Sequence, residues 1–331
     1  MPDDAPMRNQ QLEVLSPEPR GYYHLPVLKR PVWRWEVWSY FFLGGLSAGA
    51  FSIASLAYWF GGSSGRIISR LGYIISAVAL VFCPPLLIRD LGRPGRFLNM
   101  LRIIKPQSPM SLGSWAIVAF SGCVFPLAIK HLFPSRRSAI GRIVEIVPEG
   151  PLAAVGSLLG CFVGGYTGVL LSTTSVPLWS RSRFLGPMFL ASAFSSGLSA
   201  IIVGLIVGRQ ATPKLLAAME RFETLVVGAE IIALVGFFRE ASWATKPLLN
   251  PREHARAFVA GALGLGVAVP AIASIGAASR SPRWLVLSSA CTLAGGVFLR
   301  YSIVASGRAS ADDPEATFRH TTSSGDRSGV H

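Results

Sequence analysis

Long stretches without a charged residue constrain the fold of this sequence more than any other feature. Seven stretches contain no Asp, Glu, Lys or Arg: 37–65, 71–88, 110–129, 151–180, 184–208, 258–279 and 284–299. About 20 consecutive apolar residues cross the hydrocarbon core of a bilayer. An eighth predicted span, at 222–238, contains the carboxylate of Glu230. The pattern predicts an all-α integral membrane protein of about eight transmembrane helices.

A soluble helical protein is the main alternative for the fold. Charged residues make up only 15% of the 331 residues, against about 25% in an average soluble domain, and the mean hydropathy is +0.47. Helices on the surface of a soluble core show a polar face at the helical period, whereas these stretches are apolar all round. The composition therefore favours the membrane.

The net charge of +14 comes from basic residues that lie mostly in the connections between spans. Membrane topology explains this distribution better than nucleic-acid binding does, because short cytoplasmic loops are rich in Lys and Arg. The side of the membrane that holds both termini carries the larger share. This asymmetry predicts that the termini are cytoplasmic.

The sequence divides into three parts by composition. Residues 1–32 are polar and rich in proline, and we expect them to lie on a partner or on lipid headgroups. Residues 33–306 form the transmembrane domain, and residues 307–331 are predicted to be a flexible tail. A weak similarity between LSAGA at 46–50 and SGLSA at 196–200 suggests two four-helix bundles.

Cysteine and histidine residues exclude several redox cofactors. Each cysteine is alone in its span and lacks the paired spacing that an iron-sulfur cluster or zinc requires. We expect every histidine to lie in a loop or a tail, which leaves no histidine pair for a haem. The sequence thus predicts no haem and no iron-sulfur cluster in this protein. The residues concerned are Cys83, Cys123, Cys161, Cys291, His24, His131, His254, His320 and His331.

Ionisable residues at membrane depth are costly, by about 2.5–3.5 kcal/mol each, and usually mark a site or a pathway. Glu230 is the clearest example. Glu223 lies seven residues earlier, on the same face of the predicted helix. Together with Arg300, these residues are candidates for proton transfer. The alternative is a structural ion pair between Glu230 and Arg300.

Two acidic residues lie where spans meet the membrane surface. Glu36 precedes the first span, among Trp35, Trp38 and Tyr40. Aromatic walls around a carboxylate suit a flat, amphipathic headgroup that exchanges protons, although an interfacial aromatic belt has the same pattern. Asp90 lies near two basic residues of the following loop, Arg93 and Arg96, which form either a paired acid site or an ordinary positive-inside loop.

Tyr166 lies late in the fourth span, among glycines. A hydroxyl at this depth requires a hydrogen-bond partner, which is either a quinone carbonyl or a group on another helix. The end of span four and the start of span one lie on the same side of the membrane, so Tyr166 and Glu36 can line one pocket. Asp90 and Arg181 lie on that side too.

Four motifs resemble a known family, the NrfD or polysulfide-reductase membrane subunits. They are YFFLGGLSAGAF from Tyr40, RDLGRPGRFLNML with KPQSPMSLGSW between Arg89 and Trp115, GGYTGVLLSTTSVPLW from Gly164, and GGVFLRYSIVASG from Gly295. Together they span nearly the whole membrane region. The combination of DLGRP with SPMSLGSW is the most specific part.

The resemblance implies a helical bundle of the bacterial cytoplasmic (inner) membrane that binds menaquinone or ubiquinone near one membrane face. It implies a four-cluster [4Fe-4S] ferredoxin-like partner, connected to a molybdopterin catalytic subunit like those of formate dehydrogenase or polysulfide/thiosulfate reductase. The family tyrosine that bonds the quinone corresponds to Tyr166, and the acid of DLGRP is Asp90. At the entry to span one, Glu36 replaces the polar residues of other members.

The resulting hypothesis is a quinone-binding subunit of a respiratory oxidoreductase. The expected quinone site comprises Trp35, Glu36, Tyr40, Asp90 and Tyr166, and the expected partner-docking residues are Arg93, Arg96 and Arg181. A structural anchor without quinone is one alternative. A secondary transporter, with Glu230 as its coupling residue and a helix broken at Pro84 and Pro85, is another.

Overall fold

The computed structural model describes residues 28, 31, 33–91, 95, 97, 102, 104–133, 145–249, 253–275 and 281–312. Nearly all of the predicted N-terminal extension and most of the predicted tail lie outside these residues. So do Arg93 and Arg96, so their predicted docking role stays a prediction.

Eight long helices make up the described part of the protein. Each of the first seven predicted spans lies within a helix, and most helices extend beyond the uncharged stretch into charged sequence. The helices are α1 Trp35–Phe60, α2 Gly62–Asp90, α3 Pro109–Leu132, α4 Glu149–Ser172, α5 Leu185–Val207, α6 Pro213–Ala241, α7 and α8 Pro282–Ala311. Helix α7 consists of Glu253–Arg256, a π-helical part Ala257–Ala268, and Val269–Ile275.

Seven of these helices are long and apolar enough to cross a membrane, which confirms the all-α membrane fold. The remaining long helix is α6. It contains the eighth predicted span but also carries Lys214, Arg221 and several carboxylates, so it lacks a sufficiently apolar window. Its two central carboxylates, Glu223 and Glu230, face the protein interior and are 7% and 5% exposed.

The helices pack as two rings of four. Neighbours contact each other around the ring α1, α2, α3, α4 and again around α5, α6, α7, α8. Helices α1 and α5 join the rings, and α4 and α8 add further contacts between them. This arrangement agrees with the predicted pair of four-helix bundles.

The two bundles meet at the two small-residue motifs that resemble each other in sequence. A Cβ atom on Gly49 of α1 would lie 2.0 Å from the carbonyl oxygen of Ala193, and one on Gly197 of α5 would lie 2.3 Å from the backbone nitrogen of Ala50. Only glycine allows the two backbones to approach so closely, as at other helix contacts in membranes. The motifs therefore form the contact between the two halves.

Several expectations about loops and helix ends are wrong. His131 lies in the last turn of α3, and His254 lies at the start of α7, because both helices extend past the uncharged stretches. Helix α2 continues through Pro84 and Pro85. Helix α8 runs to Ala311, so the first residues of the predicted tail are helical.

The helices alternate in direction and so define two faces. We call the face where α1 begins and α8 ends the terminal face, and the face where α1 ends and α2 begins the opposite face. The terminal face therefore holds Glu36, Asp90 and the C-terminal half of α4 with Tyr166. At this face, the ring of Trp33 stacks on Trp179, with centroids 5.0 Å apart.

Candidate functional site

Glu36 begins the site at the terminal face. Although it lies in the first turn of α1, it is only 6% exposed. The Nε atom of Arg89, at the end of α2, lies 3.3 Å from Oε1 of Glu36. The other carboxylate oxygen, Oε2, is buried and has no hydrogen-bond partner among the described residues. Glu36 thus has one oxygen held by a cation and one free to accept a hydrogen bond.

The groups around this carboxylate are cationic, acidic and aromatic. The guanidinium of Arg89 also lies over the ring of Trp35, 5.5 Å from its centroid, and Trp35 is 48% exposed. Asp90 is close enough to Glu36 and Arg34 for their charges to act on it. The packing of α1 against α2 therefore brings Trp35, Glu36 and Asp90 to one place.

Two tyrosines extend the site into the bundle. Tyr40 lies one turn beyond Glu36, is buried, and is near Cys83 and Tyr166. The hydroxyl of Tyr166 donates a hydrogen bond to the backbone carbonyl of Pro109, at the start of α3. This is the helix–helix bond considered as an alternative from the sequence. A quinone carbonyl would have to replace Pro109 as the acceptor of this hydroxyl.

The surroundings of Tyr166 leave one side of its ring near the lipid-facing surface. The ring of Phe162 stacks on it, with centroids 5.4 Å apart and planes inclined by 24°, and Phe162 is 45% exposed. On the other side, Gly113 of α3 allows the ring to lie close, since a Cβ there would meet it at 2.4 Å. An amphipathic ligand in the bilayer therefore reaches the neighbourhood of Tyr166 past Phe162.

Arg181 is at the same face but in a different setting. Its guanidinium lies over the ring of Trp243, 5.9 Å from the centroid. The turn that follows Arg181 is held by Glu240, whose Oε2 accepts hydrogen bonds from the Ser182 hydroxyl at 3.2 Å and from the Arg183 N–H at 2.7 Å. Arg181 thus belongs to the surface of the second bundle.

A second polar centre lies inside the second bundle. Arg300 on α8 is fully buried. Its Nη1 donates to the Ser192 hydroxyl at 2.9 Å and to the Gly296 carbonyl at 3.0 Å, and its Nη2 donates to the Phe189 carbonyl at 3.3 Å. The rings of Phe42 and Phe189 flank the guanidinium at 5.8 and 5.3 Å. Such a setting stabilises a permanent cation, because the acceptors and ring faces replace water.

Glu230 on α6 lies beside this centre. Both Ser192 and Arg300 are close enough to act on its carboxylate. Among the described ion pairs, none joins Glu230 directly to Arg300, and Oε2 of Glu230 has no hydrogen-bond partner in the described part of the protein. The predicted neighbours are therefore brought together, with the Ser192 hydroxyl beside both. Glu223 lies two turns nearer the opposite face.

A third polar cluster lies at the opposite face, between α3 and α4. Nε2 of His131 lies 2.8 Å from Oε1 of Glu149, and Nζ of Lys130 lies 3.8 Å from Oε2. The ring of Tyr73 packs against His131 at 5.2 Å, and its hydroxyl lies 3.3 Å from that of Ser55. This cluster connects the two helices far from Tyr166.

Comparison with known proteins identifies the family of this fold. The family model described as "Polysulphide reductase, NrfD" matches residues 26–311, which include the described helices and both polar centres. The chain belongs to the NrfD family. It is therefore an all-α membrane protein of a family that includes a subunit of polysulfide reductase.

Three curated members show how far the similarity extends. This NrfD-family protein is 29% identical over 304 residues to the polysulfide reductase C subunit of Wolinella succinogenes, an alignment that includes 84% of this sequence and 94% of the relative. It is 26% identical to protein NrfD of Escherichia coli, with 84% and 95% included, and 28% identical to the NrfD homolog of Haemophilus influenzae, with 86% and 96% included. The alignments span nearly the full length of each relative.

The structure adds three residues that the sequence did not single out. Arg89 holds Glu36, Cys83 lies beside Tyr40, and Ser192 bonds Arg300. Arg89 had one available signal, its position beside Asp90 in the RDLGRP motif. The roles of Cys83 and Ser192 depend on which helices pack together, and neither residue differs in sequence from its neighbours.

Proposed function

We propose that this NrfD-family protein binds a quinone at the terminal face, between α1, α2 and α4, and exchanges electrons between it and an iron-sulfur partner. The observation that carries the proposal is the convergence of Glu36, Tyr40, Asp90 and Tyr166 near that face. Three helices supply these groups, and an exposed aromatic residue leads to them from the lipid.

The residues fit the chemistry of a quinone headgroup. Menaquinone or ubiquinone, when bound, supplies two-electron and two-proton redox chemistry. Its carbonyl oxygens require hydrogen-bond donors, and the Tyr166 hydroxyl is one. Its flat ring requires apolar or aromatic walls, which Tyr40, Phe162 and Trp35 provide. The unpartnered Oε2 of Glu36 is a buried acceptor that a protonated oxygen would satisfy.

Each residue then has a defined role. Tyr166 transfers its hydrogen bond from the Pro109 carbonyl to the ligand and so orients it. Glu36 accepts or donates a proton at Oε2 while Arg89 holds the carboxylate in place. Asp90, half-buried beside Glu36, receives that proton at the membrane edge. Trp35 closes the mouth of the site toward the lipid.

The electrons reach or leave the site through a partner docked on the terminal face. We infer a four-cluster [4Fe-4S] ferredoxin-like subunit and, beyond it, a molybdopterin catalytic subunit, in the bacterial inner membrane with cytoplasmic termini. The name of one relative, which designates it as one lettered component of polysulfide reductase, supports a multi-subunit assembly. Arg93, Arg96 and Arg181 provide the docking charges.

The buried charges of the second bundle support a separate proton route. Glu223, Glu230 and Arg300 lie at successive depths in the interior of this bundle, and the Ser192 hydroxyl lies beside both Arg300 and Glu230. Ionisable residues at such positions usually belong to proton or ion pathways. We propose that protons move between Glu223 and Glu230, while Arg300 sets the charge at the inner end.

Gentle purification of the tagged complex tests the function. We expect menaquinone or ubiquinone in about equimolar amount, together with a multi-cluster ferredoxin subunit. A purified complex without quinone and without a response to quinone-site inhibitors would favour the structural anchor. Solute uptake by the protein alone in proteoliposomes would favour the transporter, although the continuous helix through Pro84 and Pro85 gives that alternative no support.

A further inference from the structure

A cavity of about 500 Å³ opens at the opposite face, between the α1–α2 turn and the start of α6. Small-molecule sites in proteins have volumes of about 300–1,000 Å³, so this cavity is large enough to hold a ligand or part of one. Its walls are mainly apolar and come from both bundles. They include Ile53, Leu56, Phe60, Leu215, Met219 and Phe222.

The aromatic end of α1 indicates the depth of this cavity in the bilayer. Tyr58, Trp59 and Phe60 are 39%, 40% and 83% exposed. Exposed aromatic residues at the end of a transmembrane helix lie at the level of the lipid headgroups. The mouth of the cavity, which Phe60 lines, is therefore at headgroup level, and its apolar walls lie toward the hydrocarbon.

The mouth of the cavity carries positive charge. The residues Gly62, Ser63 and Ser64 line it and begin α2. Their backbone N–H groups have no hydrogen-bond partner among the described residues, since the first bond of this turn is from the Gly65 N–H to the Gly61 carbonyl. Lys214, exposed at the start of α6, lines the same cavity, and no carboxylate is among the lining residues described.

We propose that this cavity binds one anionic phospholipid. The phosphodiester lies between the Lys214 ammonium and the free N–H groups of α2, and one acyl tail enters the apolar interior. Lysine and the N-terminus of a helix both bind phosphate, and a single lipid satisfies the cationic mouth and the apolar walls together. A soluble phosphate would leave the apolar walls exposed, and a neutral quinone would leave the lysine without a counter-charge.

The lipid would connect the two bundles at the opposite face. Phe60 and Gly62 belong to the first bundle, whereas Lys214 and Met219 belong to the second. A molecule held by both sides closes the seam between them. This site is remote from Tyr166, so it does not depend on the proposed quinone function.

Native mass spectrometry of the delipidated full-length protein tests the proposal, with phosphatidylglycerol or phosphatidylcholine added as the probe. We expect one tightly bound phosphatidylglycerol. Lys214→Gln should weaken its binding about fivefold, as expected for one lysine near an anionic headgroup. Ala218→Phe should abolish tight binding, because Ala218 is exposed and lines the cavity, so a larger side chain fills it without disturbing the core.

Arg66→Gln is the matched control. Arg66 is an exposed cation in the second turn of α2, but it does not line the cavity, so its loss should leave the tight site unchanged. Equal binding of phosphatidylglycerol by wild type and Lys214→Gln would overturn the proposal. Equal affinity for phosphatidylcholine and phosphatidylglycerol, or displacement of the lipid by a short-tailed quinone, would overturn it too.

Discussion

Nη1 of Arg300 donates a hydrogen bond to the Ser192 hydroxyl at 2.9 Å and so joins α8 to α5 in the interior of the second bundle. Both residues are almost completely buried, and Glu230 of α6 lies beside them. A permanent cation, a hydroxyl and a carboxylate from three helices thus share one apolar environment. Removing one charge should leave the other without compensation.

Arg300→Met should destabilise the protein by about 3–5 kcal/mol, the usual result of removing one partner of a buried charge pair. Combining it with Glu230→Gln should cost less than the sum of the two single changes, because the second substitution removes the uncompensated carboxylate. Thermal unfolding of the detergent-solubilised protein measures each variant. Strict additivity would show that the two residues do not interact.

Glu230→Gln in the assembled complex should abolish proton translocation per electron but leave quinone turnover within about fivefold of wild type. An amide neither binds nor releases a proton at neutral pH, so the substitution interrupts a proton route. Acidification by proteoliposomes, measured together with turnover, separates the two effects. Glu240→Gln, at the exposed end of the same helix, is the control and should change neither quantity.

Glu36→Gln should lower quinone-linked turnover by about a hundredfold or more, the usual contribution of a positioned acid or base. Arg89→Gln should lower it only about fivefold, because the Arg89 side chain is 69% exposed and such pairs contribute about 1 kcal/mol or less. Steady-state rates of the two variants give the comparison. A larger loss for Arg89→Gln would remove Glu36 from its proposed role.

Gly49→Ala should destabilise the junction of the two bundles by about 1–3 kcal/mol, because the new methyl group meets the carbonyl oxygen of Ala193. Gly228→Ala is the control, since a Cβ there meets nothing within 4 Å, and it should be neutral or slightly stabilising. Unfolding temperatures in detergent measure both. Equal effects would mean that the close approach does not limit stability.

Much of the fold could be predicted from the sequence, because membrane helices are recognised from local composition alone. The extent of α6 beyond 222–238 and the helical positions of His131 and His254 could not, since charged residues extend these helices past the apolar window. The proximity of Glu230 and Arg300 was expected from their cost in the membrane. The hydroxyl of Ser192 beside both was not, because it depends on how α5 packs.

The candidate site was predictable in part for the same reason. Alternation of the spans places Glu36, Asp90 and Tyr166 at one face without any structure. The contact of Arg89 with Glu36 requires the packing of α1 on α2, and the bond from Tyr166 to the Pro109 carbonyl requires that of α4 on α3. Sequence spacing indicates the face on which a side chain lies but not its partner on another helix.

The most direct test of the central claim compares Tyr166→Phe with Tyr73→Phe in the assembled complex. Each substitution removes one buried tyrosine hydroxyl, from the terminal face and from the opposite face respectively. Quinone-linked turnover should fall about two- to tenfold for Tyr166→Phe, as the loss of one hydrogen bond predicts, and stay unchanged for Tyr73→Phe, with dye-linked turnover normal in both. Unchanged quinone-linked turnover in Tyr166→Phe would contradict the proposed quinone site.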